Sequence, residues 1–236
     1  MPTESILLYL ATICNSDFED WYMKNPGAKI EDFTFRFNHI GKSGAIYDLA
    51  KLYNISKGYV SRMKAQELYD RSAPFLKEYD PDFYALYSRD EAYSVAALNI
   101  DREKPKPRKD IAVYGDIKAQ IWYLYDELFQ TPWQDNTIID QAILDDYFSN
   151  VYDPADDSAA WMEKVKAFAP KHGYASDVKE YKKNPDGYKG HFGAICGMLR
   201  YLVTGQTNSP DLYSILHLLG GPRVLARWDA YKAWAK

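Results

Sequence analysis

Apolar residues recur at helical spacing in segment after segment of this chain, and almost nowhere at the two-residue period of a strand. In ESILLYLATICN, Ile6, Leu7, Leu10 and Ile13 share one helix face, which predicts a core-facing stripe. SDFEDWYMKNPG follows, with Ser16 or Asp17 placed to cap a second helix and Pro26-Gly27 to stop it. Helical patterns resume over 48–53, 56–77, 81–100, 116–129, 136–151, 156–168, 191–204, 210–219 and 222–234. Ser209 offers a capping hydroxyl ahead of Pro210, and Gly220 closes that helix before Gly221-Pro222 opens the next. Only EDFTFRF alternates, so Phe33, Phe35 and Phe37 predict one short strand. The expected class is all-α.

At 47% hydrophobic over 236 residues, the chain can bury a substantial core and is not a disordered segment. No apolar run approaches the roughly 20 residues that span a bilayer. The opening lacks a basic start and reads as an amphipathic helix, not a signal peptide. Cys14 and Cys196 fit no C-x-x-C pattern, and two free thiols suit a reducing cytosol. The histidines, His39, His172, His191 and His217, lack zinc-ligand spacing. A net charge of −4 provides no global field for nucleic acid, so a polyanion would need local patches. Charge is unevenly spread. REKPKPRKD, residues 102–110, is a basic turn kept extended by its prolines. Residues 131–162 carry only acidic charge, and the balance turns basic over 164–200.

Several stretches imitate catalytic motifs. The GKS at 41–43 ends like a phosphate-binding loop, but that motif needs glycine five residues before its GK, where Arg36 stands. HIGK and NISK approximate the HIGH and KMSKS signatures of class I aminoacyl-tRNA synthetases. His39 and Ser56 are too close for signatures that bracket a catalytic fold, and no parallel sheet is predicted around them. The plainer reading is that His39 ends a strand and residues 41–44 turn the chain. No recognisable active site remains.

A different resemblance fits better. KSGAIYDLAKLYNISKGYVSRM resembles the segment of glutamyl-tRNA synthetases just after the catalytic domain, with Asp48, Lys51 and Leu52 in its D-x-x-K-L pattern. The likeness extends into EDFTFRF before it and AQELYDRSAPFLKEYDPDF after it. Near the end, GHFGAICGMLRYLVTGQTNSPDLYSILHLLGGPRVLARW looks like that family's terminal anticodon-binding bundle. Gly190, Leu199-Arg200, Thr204-Gly205, Ser209-Pro210, Leu212, Leu218-Leu219-Gly220 and Arg223 fill its slots in order. Gln206 departs from the small or basic residue usual after T-G. The middle, 84–133, aligns only through Pro107-Arg108 and the following helix.

By resemblance, Arg200, Ser209, Pro210 and Leu212 hold the first anticodon base, between one helix's end and the free N–H groups at the start of the next. Arg108 matches the position that contacts the last anticodon base, with Lys104, Lys106 and Lys109 on the phosphates beside it. Asp48 and Lys51 face the inner corner of the tRNA, or form an i, i+3 ion pair. Lys189 belongs to the weaker backbone contacts; it, His172 and His191 either line the tRNA side or fill a satisfied surface role, the plainer reading.

The organisation expected is a connecting, stem-contact domain at 1–72, a first helical anticodon-binding bundle at 73–130 and a C-terminal one at 131–236. The resemblance implies a cytoplasmic monomer that binds glutamate-accepting tRNA and no membrane. It implies no cofactor in this chain, ATP and Mg²⁺ serving a catalytic half that this chain lacks, so that the chain alone binds without catalysing. Two other readings fit the same residues: the tail of a glutaminyl- or lysyl-type class I synthetase, and a helical protein–protein interaction module.

Overall fold

The computed structural model describes residues 1–36, 40 and 46–236. The chain divides into two compact units, Met1–Ile121 and Trp122–Lys236. The boundary expected after residue 72 falls inside a continuous helix, and the one after residue 130 falls shortly beyond this division. Among the described residues the fold is all-α, with one isolated bridge between Ala175 and His191.

The first unit contains α1 (Thr3–Cys14), α2 (Ser16–Lys24), α3 (Leu49–Val60), α4 (Ala65–Tyr79), α5 (Pro81–Tyr87), α6 (Glu91–Asn99) and α7 (Asp116–Ile121). Helix α1 buries a different face from the one expected. Leu8, Tyr9 and Ala11 enter the core, while Ile6, Leu7 and Leu10 stay 40–49% exposed. The helix is apolar nearly all round, so its periodicity identifies the element without choosing its face. The Tyr9 hydroxyl helps choose it by accepting the Asp48 N–H at 2.6 Å.

Caps decide several boundaries. Asn15, not Ser16 or Asp17, caps α2 by accepting the Asp17 N–H at 2.9 Å. The pattern over 81–100 divides into α5 and α6 because Asp90 caps the second, accepting the Tyr93 N–H at 3.0 Å. Of the strand expected through Phe33, Phe35 and Phe37, the described part is a one-turn 3₁₀ helix, Ile30–Asp32, and irregular backbone. There the Phe33 N–H donates to the Ile30 carbonyl at 3.1 Å and Asn15 Nδ2 to the Arg36 carbonyl at 3.2 Å; Phe37, His39 and 41–44 lie outside the described residues. No neighbouring strand is present among the described residues to pair with it. Phe33 instead meets the edge of buried Phe18, ring centroids 5.2 Å apart.

Polar ties complete this unit. Arg71 joins α4 to α1 through Glu4 at 2.7 Å. Buried Ser56 donates its hydroxyl to the Ala112 carbonyl at 2.6 Å. Arg102 caps two helix ends at once, donating from Nε to Leu98 at 2.9 Å and from Nη1 to the carbonyl of Val60 at 2.8 Å.

The second unit opens with a 3₁₀ turn, Trp122–Leu124, and continues through α8 (Gln141–Asn150), α9 (Ser158–Phe168), α10 (Val178–Lys183), α11 (Gly193–Thr204), α12 (Leu212–Leu219) and α13 (Gly221–Trp234). The helix expected over 116–129 therefore stops early, although Ile121 and Tyr125 are buried and Leu128 half-buried. Helix α11 is the centre of this unit. Its Ile195, Leu199, Leu202 and Val203 are fully buried, each contributing about 1.5–3 kcal/mol relative to exposure. Gly205 ends α11 at φ 68°, and a Cβ there would approach Pro132 to 2.8 Å, so this position needs glycine twice over.

Candidate nucleic-acid interface

The end of α11 and the start of α12 are bound together by one guanidinium. Arg200 Nη1 donates to the carbonyl of Ser209 at 2.9 Å, to that of Pro210 at 2.7 Å and to the Ser209 hydroxyl. Its Nε and Nη2 make none of these bonds. Thr204 sits beneath, donating its hydroxyl to the Arg200 carbonyl at 2.7 Å and accepting the Gln206 N–H at 3.1 Å. With its amide oriented to satisfy both neighbours, Gln206 accepts from Trp122 Nε1 and donates to the Asn208 carbonyl, each at 3.2 Å. The loop between the helices is thus tied at both ends.

The start of α12 is not as the sequence suggested. The helix begins at Leu212, and its cap is Asp211, whose carboxylate accepts the Ser214 N–H at 2.9 Å and the Ser214 hydroxyl at 2.7 Å. Ser209 is not the cap of α12. Its hydroxyl donates to the Pro210 carbonyl at 3.0 Å. An acidic cap already occupies the helix end, so anion attraction by open N–H groups does not apply there. Leu212 is buried at 4% exposure and Ser209 at 7%, whereas Arg200 and Pro210 are half-buried. Of these four, the side chains within reach from outside are therefore Arg200 and Pro210, beside the exposed Thr207 and Asn208.

The basic turn belongs to the first unit. Arg108, half-buried, donates from Nε to Asp110 at 2.5 Å, and Lys104 pairs with Asp101 at 2.6 Å. Lys106 and Lys109 are exposed. Arg102, which the sequence reading passed over, anchors the turn through the carbonyl contacts above. Asp48 caps α3 by accepting the Lys51 N–H at 3.0 Å, and the Lys51 ammonium goes to Glu19 at 2.6 Å. That replaces the i, i+3 ion pair, one of the two readings of Asp48 and Lys51. Lys189 is exposed in the second unit, its stem lying along Gly173.

His172 bonds Asp146 at 2.7 Å, beside the Lys171–Asp146 pair at 2.7 Å, and so serves the surface of α8. Among the described residues no cluster of His, Cys, Asp or Glu could hold a metal ion, and no helix is long and apolar enough to cross a membrane.

Residues 156–232, which contain this tied loop, match the family described as the anticodon-binding domain. Over 239 residues the chain is 35% identical to the glutamate–tRNA ligase of Clostridium perfringens, covering 98% of this chain and 43% of that protein. The ligase of Sorangium cellulosum is 37% identical over 237 residues, covering 96% of this chain and 41% of that protein. That of Acetivibrio thermocellus is 38% identical over 223 residues, at 93% and 41%. The chain belongs with the C-terminal, anticodon-binding part of glutamate–tRNA ligases. It spans less than half the length of these relatives. Within this anticodon-binding part, Asp211 and Trp122 are features that the resemblance did not single out; the D that follows SP in SPDLYS was the available signal for the first.

Proposed function

We propose that this chain binds tRNA, with the glutamate acceptor as its cognate, and reads the anticodon at the α11–α12 loop. The observation that carries the reading is the Arg200 tie within residues 156–232. Single-stranded bases are recognised by planar and hydrogen-bonding groups held still on a scaffold. Arg200 is such a group: one nitrogen is committed to the loop, and the rest of a rigid fork faces no partner in it. Pro210 supplies an apolar edge beside it, and Ser209 and Leu212 fix the backbone on which both stand. Arg108 is the contact for the last anticodon base, held in its turn by Asp110. Lys106, Lys109, Lys189, Lys51 and Asp48 accompany the backbone.

In a complete ligase, ATP and Mg²⁺ serve the portion of the relatives that this chain does not span, where glutamate is joined to the tRNA. The chain by itself binds and does not join, as a cytoplasmic monomer. The test is a binding titration with glutamate tRNA transcript and the same transcript carrying another anticodon. Each base misread costs about 1–3 kcal/mol by analogy with base-edge readout, so preference for the first transcript should be tenfold or more. Equal affinity for both would reject anticodon reading, and no binding to either would reject the tRNA assignment.

A further inference from the structure

Charge in the second unit is segregated along the chain. Residues 131–162 hold seven acidic residues and no basic ones, and residues 164–200 hold eight basic and three acidic ones. Two of the basic residues reach back to the acidic segment: Lys164 pairs with Asp156 at 2.6 Å and Lys171 with Asp146 at 2.7 Å. Lys166, Lys179, Lys182, Lys183 and Lys189 do not. Among the described residues none of these five lies within 4.0 Å of a carboxylate oxygen. The nearest acids make their hydrogen bonds elsewhere, although Asp177 attracts Lys179 and Lys166 at longer range. Asp177 caps α10 through the Lys179 and Glu180 N–H groups, and Glu180 accepts from Tyr188 at 2.5 Å and Ser176 at 3.1 Å.

The lysines stand on a fixed surface interleaved with rings. Lys179, Lys182 and Lys183 occupy i, i+3 and i+4 of α10, one helix face. Backbone bonds from Lys189 to Gly173 (2.8 Å), Ala175 to Gly190 (2.9 Å) and Phe192 to Ala175 (2.8 Å) lock the segment that follows α10 against the one before it. Tyr181 packs on His191 with ring centroids 5.8 Å apart, and the Lys166 ammonium lies 5.4 Å from the Phe192 ring centre. His191 and Phe192 lead directly into α11, the helix that carries Arg200 at its other end. From Gly193 to Arg200 the rise is about 10 Å, and a Cβ at Gly197 between them would meet nothing within 4 Å.

We propose that this lysine–aromatic surface binds the sugar–phosphate backbone of the tRNA that flanks the nucleotides at the α11–α12 loop. It rests on the tRNA reading above and adds a second, sequence-independent contact area to it. Ammonium groups outside close ion pairs gain from phosphate by releasing its counterions, and the rings offer stacking or sugar contact.

The experiment is the salt dependence of tRNA binding by the full chain, comparing wild type, the triple variant Lys179→Gln/Lys182→Gln/Lys183→Gln, and Lys77→Gln as a control in the first unit. Circular dichroism verifies that all remain helical. The expected result is a slope of log affinity against log salt that is shallower by roughly 2 to 3 in the triple variant. Its affinity at low salt should fall about 10-fold or more, with the anticodon preference retained and Lys77→Gln like wild type. An unchanged slope with wild-type binding intact overturns this inference alone. Loss of anticodon preference in the triple variant also overturns it, because the contact would then not be backbone-only. No tRNA binding by wild type overturns both readings.

Discussion

Arg200 and Ser209 are joined twice, through the carbonyl at 2.9 Å and through the hydroxyl of the same serine, by one guanidinium nitrogen. A side chain nine residues away in sequence thereby sets the path of the loop that precedes α12. Replacing Arg200 by alanine leaves the carbonyls of Ser209 and Pro210 without this donor. Each such loss in a part-buried site costs about 1 kcal/mol, and the loop is accessible to water, so the expected total is about 1–2 kcal/mol. Urea unfolding followed by circular dichroism measures it. An unchanged midpoint would show that the tie contributes nothing to stability.

Removal of Trp133 should be strongly destabilising. It is 4% exposed, donates Nε1 to the Leu202 carbonyl at 3.0 Å and meets Tyr231 edge-on with centroids 5.3 Å apart. Trp133→Ala should cost about 3–5 kcal/mol. Trp133→Phe restores most of the packing but not the hydrogen bond, so its cost should be smaller. Equal costs for the two would place the whole effect on the indole N–H.

Acid stability should depend on Asp146. The neighbouring Lys171 and His172 hold its carboxyl at about 2, below the ordinary 3.8. A carboxyl depressed in the folded state contributes stability above its unfolded pKa and loses it as pH falls through the folded one. Asp146→Asn should therefore be less stable than wild type at neutral pH, with the gap closing between about pH 3.8 and pH 2. A gap of constant size across that range would show that the effect is not ionic.

The two thiols should separate by reactivity. Burial pushes the Cys196 thiol up to about 11, so at about pH 8 only on the order of one molecule in a thousand carries the thiolate there. Cys14 is exposed at the end of α1. Alkylation followed by mass spectrometry should label Cys14 first and Cys196 only as the protein unfolds. Labelling at equal rates would contradict the burial of Cys196.

The helices were legible because long segments repeat at a single period, and the terminal ones carry their own punctuation, as at Gly205, Gly220 and Pro222. What the sequence left open was decided by tertiary contact. Periodicity could not tell which face of α1 turns inward, because Ile6, Leu7 and Leu10 are as apolar as Leu8 and Ala11. Nor could it rank competing caps: Asn15 over Ser16, and Asp211 over Ser209, were settled by which side chain reaches an open N–H. The short α10 gave no apolar stripe at all, having no buried residue. Arg200 and Ser209 were legible as a pair only through family resemblance. Spacing alone does not reveal that the arginine's first partners are the loop's own carbonyls.

The most direct test of the account is the affinity of wild type and Arg200→Lys for glutamate tRNA transcripts that differ only in the first anticodon base. A lysine keeps the charge but not the planar fork, so the variant should bind the cognate transcript more weakly by about 1–3 kcal/mol while its affinity for the altered transcript changes little. Wild type and variant discriminating equally between the two transcripts would contradict the assignment of Arg200 to that base.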